Sequence, residues 1–211
     1  MFLKQIKSSV FPKIKNPRYH VLFMWQEIAK FGRKLVEQGL VSSHFGNISV
    51  RVGDYMYITR SGSMLDEITK DDVVRVSVYE PTSLDLIASS EVTAHRMIYQ
   101  NTSALAIIHD HSPFAVVESL IHREMGRDRI VPIDSEGSYF LHDIPIVDGG
   151  IGTERMARNL AEALQQRKAA VVYSHGVFAR GSILEDAYVV ASMVEHSCKM
   201  LYYFDMWKSH R

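Results

Sequence analysis

The stretch Leu105–Pro113, Leu-Ala-Ile-Ile-His-Asp-His-Ser-Pro, constrains this chain more than any other. Its apolar, β-branched run reads as a buried strand that ends in His109-x-His111. Alternation along a strand puts both imidazoles on one face. Ser112 as N-cap and Pro113 in the first turn then open a helix, which leaves the two histidines at the C-terminal end of a strand. That is where α/β proteins gather their chemistry. Eighteen residues before His109 stands Glu91, where a helix capped by Ser89-Ser90 is expected to begin and to run to about Tyr99.

With 211 residues and 46% hydrophobic content, the chain is expected to form one domain over 1–211 with an ample core. Its 24 basic and 24 acidic side chains cancel, which argues against a nucleic-acid binder, since affinity for phosphate backbones calls for a basic excess. The local exception is the start, where residues 1–26 hold five Lys/Arg and no acid. No apolar signal-peptide core follows, so residues 1–20 read as a loosely ordered, solvated basic segment. The single cysteine, Cys198, excludes an internal disulfide and fits a reducing, cytoplasmic setting. No apolar run approaches the roughly 18 residues needed to span a bilayer, so no membrane is expected as a partner.

Taken in order, helical and strand patterns alternate without a repeat or a low-complexity linker. Asn16-Pro17 opens a helix carrying Leu22, Trp25, Ile28, Ala29, Leu35 and Val36, and Gly39 stops it. Phe45–Arg51 and Tyr55–Thr59 read as a hairpin with Gly46-Asn47 at its mouth. Further strands are predicted over Val73–Tyr79, Ile130–Ile133, Ile144–Val147, Ala169–Tyr173 and Val177–Arg180. A helix from Thr153 sets Met156, Ala157, Leu160, Ala161 and Leu164 on one stripe. The last helix is expected to start at Ser182, with Glu185 completing a capping box, and to run past Tyr202.

Three polar loops, Gly46-Asn47, Ser61-Gly62 and Ser89-Ser90, offer backbone N–H groups and small polar side chains. One lies at a helix N-terminus, where the dipole favours an anion, so together they are suited to a phosphate. Of ten histidines, His20, His122, His142 and His210 read as surface or loop residues, while His95 and His196 lie on helices in structural roles. His109, His111 and His175 differ, because each closes an apolar strand where the chain must turn. Three imidazoles with an open position describe a catalytic divalent-metal site, although sequence alone does not bring His175 to the other two.

Gly46-Asn47-Ile48-Ser49, Thr59-x-Ser61-Gly62, Ser89-Ser90-Glu91, His109-x-His111 and Ser174-His175-Gly176, in this order and spacing, resemble the class II aldolase/adducin-head family from about Trp25 to about Tyr203. The resemblance implies a three-layer α/β/α sandwich around a mostly antiparallel sheet. It also implies one zinc ion per subunit and a homotetramer with sites between subunits. Position by position, His109, His111 and His175 match the metal ligands. Glu91 matches the carboxylate that ligates the resting metal and then acts as acid/base, and Asn47, Ser61, Gly62, Ser89 and Ser90 match the phosphate-binding positions.

The activity this implies is cleavage of a (deoxy)ketose 1-phosphate, such as fuculose 1-phosphate, to dihydroxyacetone phosphate and an aldehyde through a metal-stabilised enediolate. Imidazole ligands serve manganese and cobalt as well as zinc. The same metal site supports a 4-epimerase, dehydratase or decarboxylase on a sugar phosphate, and the fold also occurs as a non-catalytic, adducin-like interaction domain. Two departures from the family pattern stand out. His44-Phe45 replaces the small residues that usually precede Gly-Asn, where these side chains narrow the phosphate end or contact substrate. The inter-subunit tyrosine that protonates the leaving aldehyde is missing from its register; Tyr139, Asp134 or Glu136 takes its place, or the reaction differs. Arg60 either strengthens anion binding or is a solvated arginine.

Overall fold

The computed structural model describes residues 17–211. Its helices are α1 (Pro17–Glu37), α2 (Val92–Asn101), α3 (Pro113–Glu124), α4 (Ser135–Phe140), α5 (Glu154–Gln166) and α6 (Leu184–Ser209). Its strands are β1 (Asn47–Val52), β2 (Tyr55–Thr59), β3 (Val73–Ser77), β4 (Ala106–Asp110), β5 (Arg129–Ile130), β6 (Ile144–Val147), β7 (Ala169–Val172) and β8 (Gly176–Gly181). The basic segment expected over residues 1–20 lies outside the described residues up to position 16, and Pro17–His20 already belong to α1.

The eight strands form one sheet in the order β3-β2-β1-β4-β8-β7-β6-β5, and only the β6–β7 pairing is parallel. β4 is buried along its whole length. Its alternation explains this: Ile108 faces one core and Ile107 the other. The first core lies between the sheet and α1, α3 and α6, where Ile28, Leu35, Ala115, Ala191 and Val194 meet Ile48, Ile108 and Val177. The second lies under α2 and α5, where Ile98, Tyr99, Leu160 and Leu164 meet Ile58, Val76 and Phe178. Sheet and flanking helices thus make the expected α/β/α sandwich. The stripe read from the sequence of α5 is its buried face, and Thr153 caps it by accepting the Met156 N–H. Full burial of each of Leu160 and Leu164 stabilises the layer by about 1.5–3 kcal/mol.

Several boundaries differ from expectation, for local reasons. β5 ends at Ile130, because Pro132 has no N–H to offer a ladder; Val131 and Ile133 are exposed. The capping box expected at Ser182 and Glu185 does not form. Ile183 is extended (φ −142°, ψ 167°), so the Ser182 N–H and hydroxyl reach Asp186, one residue further on. Glu91 is the N-cap residue of α2 rather than its first helical residue. Ser112 does precede α3, but its hydroxyl donates to Asp110 Oδ1 at 2.5 Å. The α3 N-terminus is capped instead by the Glu195 carboxylate of α6, which accepts the Phe114 and Ala115 N–H groups at 3.0 and 3.1 Å. His122, expected at the surface, is buried on α3 with Nδ1 3.2 Å from Glu118 Oε2.

Candidate metal centre and active site

His109 is the fourth residue of β4, held between Asn47 of β1 and Phe178 of β8. It is fully buried, its ring stacks on Phe178 at 4.2 Å, and its Nδ1–H donates to the Val177 carbonyl at 2.9 Å. That bond sets the tautomer and leaves the Nε2 lone pair facing outward. His111 follows just beyond β4, with its Nε2 3.1 Å from His109 Nε2 and its ring stacked on Phe45 at 5.3 Å. His175 arrives from the turn between β7 and β8. There Ser174 adopts a left-handed backbone (φ 57°), and its N–H donates to the buried Ser119 hydroxyl of α3 at 3.1 Å. The three ring centroids stand 4.9, 4.8 and 4.9 Å apart, nearly an equilateral triangle. One nitrogen from each ring lies within 4.8 Å of the others.

Glu91 completes the group. It is 3% exposed, with Oε2 3.1 Å from His109 Nε2 and Oε1 3.6 Å from His175 Nε2. Asn47 Nδ2 donates to Oε2 at 2.8 Å. Burial raises the Glu91 pKa above the ordinary carboxylate value, opposed by the Asn47 hydrogen bond and by the His175 and His111 rings. Burial also pushes the pKa values of His109 and His111 down to about 3, and lowers that of His175. The imidazoles are therefore neutral. The His109 Nε2 lone pair faces Glu91 Oε2, and Glu91 Oε1 has no hydrogen-bond partner among the described residues. A cation resolves that crowding of acceptors, so the donor set of three nitrogens and one carboxylate fits a divalent metal.

The three polar loops, which the sequence could not bring together, are joined by hydrogen bonds. Thr59 Oγ1 accepts the Ile48 N–H at 3.2 Å, and the Thr59 carbonyl accepts the Ser89 N–H at 3.0 Å. Arg60 pairs with Ala88, and the Ser61 N–H donates to the Ile87 carbonyl at 3.1 Å. Ser61, Gly62 and Ser90 are exposed, whereas Ser89 and Asn47 are buried, each 6% exposed. Asn47 is turned inward to Glu91. Tyr139 stands apart on α4, 73% exposed and packed edge-on against Phe140. Sequence reading missed the roles of Ser119, Glu195 and His95. A signal existed only for His95, which follows Glu91 by four residues and therefore shares its helix face.

Residues 26–202 match the family described as Class II Aldolase and Adducin N-terminal domain. The chain belongs to that family and is a lyase of its metal-dependent kind. Among its relatives, the L-fuculose phosphate aldolase of Methanocaldococcus jannaschii is 32% identical over 178 residues, covering 83% of this chain and 93% of the relative. The L-fuculose-1-phosphate aldolase of Thermus thermophilus superposes with a TM-score of 0.82 at 31% identity, covering 89% of this chain and 97% of that one. A probable bifunctional methylthioribose-1-phosphate isomerase/methylthioribulose-1-phosphate dehydratase of Nocardia farcinica is 41% identical over 91 residues. Those residues are 42% of this chain and 16% of that one. No helix among the described residues is long and apolar enough to cross a membrane.

Proposed function

We propose that the protein cleaves a (deoxy)ketose 1-phosphate of the fuculose 1-phosphate kind to dihydroxyacetone phosphate and an aldehyde. The observation that carries this reading is the convergence of three neutral imidazoles on the buried Glu91 carboxylate beside three polar loops. His109, His111 and His175 hold the metal, zinc or an ion of similar taste such as manganese or cobalt. The bound ion supplies Lewis acidity to the substrate carbonyl. Glu91 carries the proton at the carbon beside that carbonyl, and its raised pKa suits the task better than that of a solvated carboxylate. Asn47, Ser61, Gly62, Ser89 and Ser90 receive the phosphate, fixing the substrate away from the reacting carbon. Tyr139 is exposed enough to serve the site of a neighbouring subunit in a homotetramer. The free, buried Cys198 suits a reducing, cytoplasmic setting.

A second reading, dehydration of a 5-thio- or 5-deoxypentulose 1-phosphate, is favoured by two observations: the 41% identity to the dehydratase-containing relative, and the absence of a tyrosine in the expected register. Proton exchange decides. Metal-loaded protein is incubated with dihydroxyacetone phosphate in heavy water, and loss of a C3 hydrogen is followed by NMR. Stereospecific exchange that disappears in Glu91→Gln, with metal retained, supports the aldolase. Absence of exchange with metal bound would move the assignment to the dehydratase.

A further inference from the structure

Behind Glu91 the fold buries a continuous run of polar side chains that metal binding does not use. Asn47 and Ser49 are two apart on β1 and share a face; His95 and Tyr99 are four apart on α2 and share a stripe. His95 Nε2 lies 2.5 Å from Asn47 Oδ1, and its Nδ1 lies 2.6 Å from Ser49 Oγ, which in turn is 2.7 Å from Tyr99 Oη. Ser49 and His95 are 0% exposed and Tyr99 is 1% exposed. The chain runs Tyr99, Ser49, His95, Asn47, Glu91.

Chemistry fixes its direction. An amide oxygen can only accept, so His95 Nε2 carries the hydrogen. With Nε2 donating, the Nδ1 of this fully buried ring faces the Ser49 hydroxyl at 2.6 Å and accepts its O–H. The Ser49 oxygen then accepts from Tyr99. Turning the Asn47 amide over would set N–H against N–H at His95 and oxygen against carboxylate at Glu91. In a dry interior neither mismatch is relieved by water.

We propose that His95 is a positioning residue for the proton transfer: anchored by Ser49 and Tyr99, it locks Asn47 so that an amide N–H stays on Glu91 Oε2 and holds the carboxylate in place. The inference rests on the reading of Glu91 as proton carrier. His95 never touches substrate; it acts through Asn47. A side chain that merely filled the core would be replaceable by a ring of like volume, and its loss would be independent of Asn47.

The test follows deuterium exchange into dihydroxyacetone phosphate by the full-length, zinc-loaded protein and its variants. His95→Phe keeps a ring beside Phe178 but loses donor and acceptor, and lowers kcat at least about tenfold with a smaller change in KM. His95→Gln, which retains one donor and one acceptor, recovers most of that loss. The double variant Asn47→Ala/His95→Phe is no slower than Asn47→Ala alone, because the effect passes through the amide. Should His95→Phe not fold, Ser49→Ala takes its place in the same cycle. Losses that multiply in the double variant, or a His95→Gln no faster than His95→Phe, overturn the proposal. Nitrogen NMR of histidine-labelled, metal-free protein gives a readout independent of turnover: the Nε2–H tautomer at His95 is expected, and Nδ1–H overturns the orientation. Full exchange in Glu91→Gln would instead remove the proton-carrier reading, an outcome distinct from multiplicative losses beside an inactive Glu91→Gln.

Discussion

Replacing Gly176 by alanine puts a methyl group where the fold leaves no room. A Cβ there would stand 2.2 Å from the Asp110 carbonyl oxygen and 2.9 Å from His109 Cε1. Real Cβ contacts stay at 3.0 Å or more, so the strand carrying two metal ligands must move from β8 by at least about 0.8 Å. A metal site tolerates about 0.2 Å in its ligand distances, so the shift exceeds that tolerance severalfold. It also pulls the Val177 carbonyl from His109 Nδ1, releasing the tautomer that this bond holds. Gly176 has an ordinary backbone, so the effect is steric alone. Overpacking of this size costs about 2 kcal/mol, which lowers Tm by about 4–8 °C in a chain of this length. Metal content by atomic spectroscopy and Tm with and without chelator should both fall. Gly53→Ala is the control: at φ 61° with open space around it, it costs about 1 kcal/mol in backbone energy and leaves the metal untouched. Wild-type metal content with an unchanged Tm in Gly176→Ala would refute the reasoning.

Glu195→Ala uncaps α3 and should cost about 1–2 kcal/mol by denaturant unfolding; no change would mean that Ser112 caps the helix after all. Hydrogen bonding from Arg167, and then from Arg129, holds the Asp143 carboxyl below its ordinary pKa. A depressed folded pKa contributes stability above the unfolded value and loses it as pH falls through the folded one. Asp143→Asn should therefore flatten the Tm profile below about pH 4, and parallel acid limbs would refute the pairing. Burial raises the Cys198 thiol well above its usual pKa. Iodoacetamide at about pH 8 should leave it unmodified until the protein is unfolded, and rapid alkylation of native protein would contradict its burial.

What the sequence disclosed was what depends on near neighbours. His109-x-His111 was legible because alternation and the Ser-Pro turn are local, and α5 because five apolar residues share one stripe. The approach of His175 was not, since the pairing of β4 with β8 joins residues about 70 apart. His122 was misplaced for an instructive reason. The buried stripe of α3 is Ala115, Glu118, Ser119 and His122, helically spaced yet mostly polar, so a search for apolar periodicity passes over it. Two of its polar members find partners only in the folded chain: Ser119 accepts the Ser174 N–H, and His122 Nδ1 donates to the Glu118 carbonyl one turn back. The contacts of Asn47 to Glu91 and His95 were likewise hidden, because they become visible only once β1 lies beside β4.

The triangle of histidines also has a meaning in the statistics of the chain. His111 and His175 are separated by 64 positions, and an ion gripping both ties a knot across that length. By the loop-closure estimate, such a tie removes unfolded-state freedom worth about 4 kcal/mol at room temperature, as much as a disulfide would. A chain with one cysteine has no covalent means to that end. The catalytic ion would then double as a reversible staple, and scarcity of metal would shorten the lifetime of the fold along with stopping its chemistry.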